Sequence, residues 1–134
     1  MAGKRIMLVE DDPDFIAIVR VLLESAGYQV FAAADSRAAL AAIGAVGPNL
    51  ILLDIMLDSD IAGFELAYQL RNPLAGAPYA AFASVPIVVL TSMGQTRQVD
   101  YSPRARLSFL PVNAYLEKPV DPEVLLATIA ALLA

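Results

Sequence analysis

This sequence of 134 residues contains no cysteine and no histidine. Without cysteine, the chain has neither a disulfide framework nor a thiolate-bound metal. Without histidine, it lacks the commonest general base and a common ligand of transition metals. Carboxylates are then the candidate ligands for any metal, and they suit a hard cation.

Long apolar segments are also missing, although 58% of the residues are hydrophobic. Asp, Pro, Gly or Lys interrupts each apolar run before it could span a bilayer. The first residues, MAGKRIMLVEDD, reach acidic side chains too early for a signal peptide. These absences predict a cytoplasmic protein that has no membrane partner.

Positive charge is scarce, with 9 Lys and Arg against 14 Asp and Glu and a net charge of −5. Contacts to phosphates need clustered Lys and Arg, so this balance argues against nucleic acid as a direct partner. The length suffices for one domain with a buried core. Because the chain has no internal repeat and no linker, we interpret residues 1–134 as one domain.

Short apolar runs alternate with longer segments of helical character, a pattern that predicts βαβ units around a parallel sheet. The predicted strands cover residues 5–9, 28–33, 50–53, 87–90 and 114–117. The predicted helices cover residues 13–26, 36–43 and 63–71, and a last helix begins after residue 121. The sequence therefore predicts an α/β fold with five strands and about five helices.

Capping residues mark several of these helix ends. Asp12 is predicted to cap the first helix, and Asp121 is predicted to cap the last one. A proline follows each of these two residues, at the helix position that tolerates proline best. The second helix is predicted to end near Gly44 or Gly47, because glycine ends helices readily.

Two connections depart from this regular alternation. Residues 72–86 carry four prolines and glycines and are predicted to be largely irregular. A helix is expected between the last two strands, but Gly94, Pro103 and Pro111 interrupt that segment. The segment is thus predicted to hold at best a short helix inside a long loop.

Polar residues follow four of the five predicted strands. In an open parallel sheet, ligands bind beyond the carboxyl ends of the strands. The residues at these ends are Glu10, Asp11 and Asp12 after the first strand, Asp54 after the third, Thr91 after the fourth and Lys118 after the fifth. Clustered carboxylates repel one another unless a divalent cation lies among them, and oxygen ligands favour Mg²⁺.

Each of these residues also has an ordinary structural explanation. Acids after a strand often cap a helix, and a Lys-Pro pair often forms a turn. Their joint placement at consecutive strand ends is harder to explain in this way. We therefore favour a functional site at this edge of the sheet.

Four segments carry a resemblance to a known family. They are LVEDD, LILLDIML, VVLTSMG and YLEKPVD, and they end the first, third, fourth and fifth strands in that order. With them the chain resembles the receiver domain of two-component response regulators, of the stand-alone, chemotaxis-regulator-like type. The resemblance implies a doubly wound, flavodoxin-like five-stranded parallel sheet in the order 2-1-3-4-5, with an irregular or shortened fourth helix.

The resemblance also implies roles for individual residues. Asp54 is the implied phosphoacceptor, Thr91 the switch hydroxyl, Lys118 the lysine that pairs with the phosphoryl group and Tyr115 the switch aromatic. The implied Mg²⁺ ligands are Glu10 through water, Asp11, Asp54 and the backbone carbonyl of Met56.

These roles predict a signalling protein. A histidine kinase or phosphotransfer protein would supply the phosphoryl group, because the chain has no histidine of its own. The target is expected to be an unknown protein, since residues 1–134 contain no output domain. Apart from Mg²⁺-dependent self-phosphorylation and slow autodephosphorylation, no enzyme activity is expected. Met56 and Met93 flank the implied site, and their apolar bulk predicts a long-lived phosphoryl group.

The sequence departs from the family pattern in two places. Asp58 stands where the family usually has proline, and the loop over residues 59–62 is longer by about one residue. The loop over residues 94–113 exceeds the family norm and carries Arg97, Arg104 and Arg106. These arginines are interpreted either as part of a solvated loop or as a docking surface for an acidic partner.

Three alternatives stay open at this point. One is a pseudo-receiver, an interaction module that keeps the fold and works without phosphorylation. Another is a phosphohydrolase, in which Asp58 or Asp60 would have to activate water. The third concerns assembly. The last helix has no charged residue from Val124 to Ala134, which suggests a homodimer or an exposed face softened by alanine.

Overall fold

The structure is a computed structural model that describes residues 3–54, 62–71, 79–91 and 112–134. The strands are β1 (Arg5–Val9), β2 (Gln29–Ala33), β3 (Leu50–Asp54), β4 (Ile87–Thr91) and β5 (Ala114–Glu117). The helices are α1 (Pro13–Ser25), α2 (Ser36–Val46), α3 (Ala62–Arg71) and α4 (Pro122–Leu133). A short 3₁₀ helix, Ala80–Phe82, precedes β4.

The five strands form one sheet in the order β2-β1-β3-β4-β5. All four strand pairs are parallel. This order confirms the predicted doubly wound, flavodoxin-like fold. Because the strands are parallel, the polar residues at their carboxyl ends meet along one edge of the sheet.

Helices cover both faces of the sheet, which explains why β1, β3 and β4 are apolar almost throughout. On one face, Val19 and Leu23 of α1 pack with Leu125 and Ile129 of α4. On the other face, residues of α2 and α3 form a second buried cluster. Successive residues of each central strand alternate between the two clusters, as the pleat of a strand requires.

Side-chain caps begin three of the helices. Asp12 accepts a hydrogen bond from the backbone N–H of Asp14, and Asp121 accepts one from Glu123, so both predicted caps are confirmed. The helix α2 extends beyond the predicted residue 43 to Val46, and of the two predicted stops, Gly44 and Gly47, the second is confirmed. Gly47, with φ 56°, closes the helix in the left-handed conformation that glycine adopts without strain.

Arginine and asparagine side chains connect the amino ends of the strands. Arg5 donates from Nε to the carbonyl of Gly47, and its backbone N–H donates to Oδ1 of Asn49. Arg71, at the end of α3, donates to the carbonyls of Ala83 (2.9 Å) and Val85 (2.6 Å). These bonds tie the connections before β3 and β4 to the rest of the fold.

Asn113 continues this network at the start of β5. Its Oδ1 accepts hydrogen bonds from the guanidinium of Arg71 and from the backbone N–H of Ile87. Its own backbone N–H donates to the carbonyl of Ile87. One amide side chain thus joins α3, β4 and β5 at the same edge.

The last helix packs its leucines and Ile129 against the core, whereas Val124 is 47% exposed. From residue 124 to residue 134, the exposed residues are Val124, Ala127, Ala130, Ala131 and Ala134. The outer face of this helix is therefore mainly alanine, as the interpretation of an exposed face softened by alanine requires. The homodimer stays a prediction. Within the described ranges, no helix combines the length and apolar character needed to cross a membrane.

Several sequence predictions lie outside the described residues. They concern the helix expected between β4 and β5, residues 94–111 of the long loop with its three arginines, and the side chains of Met56, Asp58, Asp60 and Met93. The part of the irregular connection that is described, residues 79–86, contains the short 3₁₀ helix and a turn.

Candidate functional site

Three buried polar side chains lie at the carboxyl ends of the central strands. Among the described residues, Glu10 (1% exposed), Thr91 (4%) and Asp54 (6%) are the polar or charged residues that are buried. Glu10 follows β1, and Asp54 and Thr91 end β3 and β4. Burial of polar groups is costly unless they are paired, so their shared position marks this edge as the candidate site.

Three carboxylates come together there. Glu10, Asp11 and Asp54 each offer one ligand oxygen, and these oxygens lie within 4.8 Å of one another. Asp11 is exposed, whereas the other two are buried, so the group opens to solvent on one side. A set of oxygen ligands with one accessible side fits Mg²⁺, which binds few protein carboxylates and keeps several waters.

Lys118 lies beside two of these carboxylates. Its Nζ is 2.8 Å from Oε1 of Glu10 and 3.6 Å from Oδ2 of Asp54. Its backbone N–H donates to the carbonyl of Thr91 at 2.7 Å, and the peptide bond to Pro119 is cis. The lysine is thus held by both its main chain and its side chain, with 18% of the side chain exposed.

The electrostatics of the site centre on Glu10. Burial raises the pKa of its carboxyl, the hydrogen bond from Lys118 lowers it, and the nearby charge of Asp54 raises it further. The net direction is a raised pKa. Oε2 of Glu10 also accepts a weak hydrogen bond from the N–H of Asp12 at 3.2 Å. Lys118 therefore compensates the negative charge of Glu10 and Asp54 only in part.

Thr91 and Tyr115 lie on adjacent strands of the sheet, two register positions apart. Asp54 is in register with Leu90, the residue before Thr91, so β4 carries the hydroxyl next to the end of β3. Tyr115 is in register with Val89 and packs against the α2 and α3 cluster, half-buried. The predicted switch residues thus lie on adjacent strands, whereas the carbonyl of Met56 is outside the described residues.

Sequence analysis did not identify one residue that contacts the site, Phe15. The Lys118 Nζ lies over the ring of Phe15, 4.4 Å from its centroid. Phe15 is in the first turn of α1, four positions after Asp11, which places it near the carboxyl end of β1. That spacing is a usable signal, but apolar residues in a helix are far more often simple core residues.

Comparison with known proteins gives a family match. The model of the response regulator receiver domain family matches residues 6–130. Protein PilH of Pseudomonas aeruginosa is 30% identical over 130 residues, which cover 97% of this chain and 98% of PilH. The DNA-binding dual master transcriptional regulator RpaA of Synechocystis is 33% identical over 96% of this chain. The chain spans about half the length of RpaA, 48%.

Solved structures agree with this family. A putative response regulator from Chloroflexus aurantiacus has a TM-score of 0.77 and 26% identity, with 98% of both chains covered. Chemotaxis protein CheY4 of Vibrio cholerae has a TM-score of 0.77 and 28% identity, covering 98% of this chain and all of CheY4. These structures share the order of strands and helices described above.

Proposed function

This chain belongs to the response regulator receiver domain family, and from that premise we propose that it accepts a phosphoryl group on Asp54 in two-component signalling. The observation that carries the proposal is the position of Asp54. It is buried at the carboxyl end of a central strand, with an ammonium 3.6 Å from Oδ2 and two further carboxylates close by.

In the proposed reaction, a carboxylate oxygen of Asp54 attacks the phosphorus of a phosphohistidine on a histidine kinase or phosphotransfer protein. A P–O bond forms as the P–N bond breaks, and its electron pair remains on the imidazole nitrogen, which takes up a proton. Such a transfer depends mainly on positioning and on compensation of negative charge. Lys118 supplies positive charge beside Asp54, and the burial of the carboxylate limits access of water.

The proposed metal ligands are Glu10, Asp11 and Asp54, together with the carbonyl of Met56 that the family resemblance implies. Their oxygen ligands support Mg²⁺ rather than a transition metal. When bound, Mg²⁺ would neutralise charge on the phosphoryl oxygens. Metal occupancy would also relieve the mutual repulsion of the three carboxylates.

The proposed output is a change of surface. The phosphoryl group adds close to two negative charges and strong acceptor oxygens. The Thr91 hydroxyl donates a hydrogen bond to it, and Tyr115 turns toward the space that Thr91 leaves. The altered surface near β5 and α4 then binds a downstream protein. The relatives include PilH and DNA-binding regulators, so the comparisons leave that partner unidentified.

We propose a signalling role rather than turnover of a small substrate. Self-phosphorylation and slow autodephosphorylation belong to this proposal. The cytoplasmic location and the long-lived phosphoryl group stay predictions. The pseudo-receiver alternative is less well supported, because the acidic group, Thr91 and Lys118 are all present at the predicted edge.

Intact mass spectrometry tests the proposal. After incubation with acetyl phosphate and Mg²⁺, the wild type should gain the mass of one phosphoryl group. Asp54→Asn should not gain it, whereas Asp35→Asn, which removes an equal charge at a helix cap, should behave like the wild type. EDTA should abolish the gain. A wild type that stays unmodified while it binds Mg²⁺ would contradict phosphoryl acceptance.

A further inference from the structure

Among the described residues, two carboxylates and one aromatic ring lie beside the Lys118 ammonium. Glu10 holds it at 2.8 Å, Asp54 lies 3.6 Å away, and the face of the Phe15 ring lies 4.4 Å from Nζ to the ring centroid. The two carboxylates attract the same charge, and the closer one is not the proposed phosphoacceptor. The ring of Phe15 differs from both carboxylates, because it can attract the ammonium but can accept neither a proton nor a phosphoryl group.

We propose that Phe15 is a positioning residue that keeps the Lys118 ammonium beside Asp54. This inference rests on the proposed function, since it assigns a task to Lys118. The negative face of an aromatic ring attracts a cation, and the attraction increases when the pair is shielded from water. The Lys118 side chain is only 18% exposed, so the contact lies in a partly dehydrated position.

The local sequence fixes the ring in place. Asp12 caps α1 and Pro13 begins it, which sets the direction of the first helical turn. Phe15 then packs, half-buried, against the cluster between α1, α4 and the sheet. The ring is held by the core on one side and contacts the ammonium on the other.

Removal of the ring should release the lysine toward Glu10 and solvent. Phosphoryl acceptance should then slow because the positive charge spends less time beside Asp54. A cation–π contact of this exposure corresponds to a rate change of roughly fivefold. Tyr keeps an equivalent ring face, so Phe15→Tyr should retain the contact, whereas Phe15→Leu keeps only the apolar volume.

A spectroscopic test uses the small number of lysines. The sequence contains two, Lys4 and Lys118, so ¹³C-lysine labelling gives two ε-methylene signals. Protons above an aromatic face are shifted upfield by the ring current. The Lys118 signal should lie upfield of the exposed Lys4 signal, move to the Lys4 position in Phe15→Leu and stay upfield in Phe15→Tyr. An unshifted Lys118 signal in the wild type would overturn the inference.

A kinetic test follows the second-order rate constant for phosphorylation by acetyl phosphate. Phe15→Leu should lose roughly fivefold and Phe15→Tyr less than about twofold. Leu22→Val, in the same helix and cluster, controls for lost packing and should change neither the rate nor the Lys118 signal. A rate in Phe15→Leu equal to that of the wild type would overturn the positioning role.

The two proposals fail in different ways. If the wild type is phosphorylated on Asp54 but Lys118 gives no ring-current shift, only the positioning inference is wrong. If Lys118 is shifted but Asp54 accepts no phosphoryl group, the proposed function is wrong. In that second case the positioning role of Phe15 is wrong as well, and its contact with Lys118 is only structural.

Discussion

At the amino ends of the strands, Arg5 and Arg71 donate to main-chain carbonyl oxygens, and Asn113 accepts from Arg71. At the carboxyl ends, three carboxylates lie within 4.8 Å of one another, and Lys118 contacts two of them. At one edge cations are distributed among neutral acceptors, whereas at the other anions are concentrated.

The difference separates stability from function. Hydrogen bonds from a charged donor to carbonyl oxygens hold connections in place and need no further ligand. A concentration of buried carboxylates costs free energy of folding, and a bound cation or the loss of a charge relieves it. We therefore expect substitutions at the amino edge to destabilise the fold, and some substitutions at the carboxyl edge to stabilise it.

The largest effect is expected for Arg71→Met. It removes the donors to Ala83, Val85 and Asn113 and leaves their oxygens without these bonds. The free energy of unfolding should fall by about 3 kcal/mol in urea denaturation. Arg37→Met, at an exposed position of α2, is the matched control and should change it by less than about 0.5 kcal/mol. Equal losses of unfolding free energy in the two variants would contradict a stabilising role for the hydrogen bonds of Arg71.

A smaller loss is expected for Lys118→Met without divalent cations. The substitution leaves Glu10, which is 1% exposed, without its 2.8 Å partner. Unfolding at pH 7 should require about 2 kcal/mol less, because an unpaired buried charge is costly. The double variant Lys118→Met/Glu10→Gln should recover most of this loss. Lys4→Met, at an exposed position, serves as the control.

Asp54→Asn is expected to act in the opposite direction. It removes a buried charge that repels Glu10, so without Mg²⁺ it should stabilise the fold by about 1 kcal/mol. Addition of Mg²⁺ should raise the melting temperature of the wild type and have less effect on the variant. Asp35→Asn keeps a helix cap and should respond to Mg²⁺ like the wild type. A destabilised Asp54→Asn protein would contradict the proposed surplus of charge.

The smallest effect is expected in the pH dependence of stability. Because burial raises the pKa of Glu10 above its ordinary value of 4.5, the folded protein binds this proton more tightly than the unfolded chain does. The contribution of Glu10 to stability therefore falls as the pH rises from 4.5 through the raised pKa. Relative to Glu10→Gln, the wild type should gain stability as the pH is lowered through that interval. Parallel pH profiles would contradict the raised pKa.

Much of the fold could be predicted because its signals are local. The apolar runs of β1 and β5 gave the observed strand bounds, and the cap at Asp12 was found from its neighbours alone. The end of α2 was predicted less well, since Gly44 and Gly47 are both plausible stops. The observed stop, Gly47, accepts a hydrogen bond from Nε of Arg5, and a short window of sequence does not contain that long-range contact.

The candidate site was predicted as a set of residues but not as a set of contacts. Glu10 and Lys118 are 108 positions apart, and no local pattern states that they meet at 2.8 Å. The contact of Lys118 with Phe15 was missed for the same reason. Arg71 and Asn113 have no motif that marks them, yet they join α3 to the start of β5.

The sequence by itself determined the order of the strands and helices and which polar residues follow which strand. Parallel topology turns that order into proximity, because the carboxyl ends of all five strands lie along one edge. Only the tertiary structure decided that Lys118 is closer to Glu10 than to Asp54 and that its ammonium lies over an aromatic ring. Those distances depend on how α1 and β5 pack against β1 and β4, and packing is a property of the whole fold.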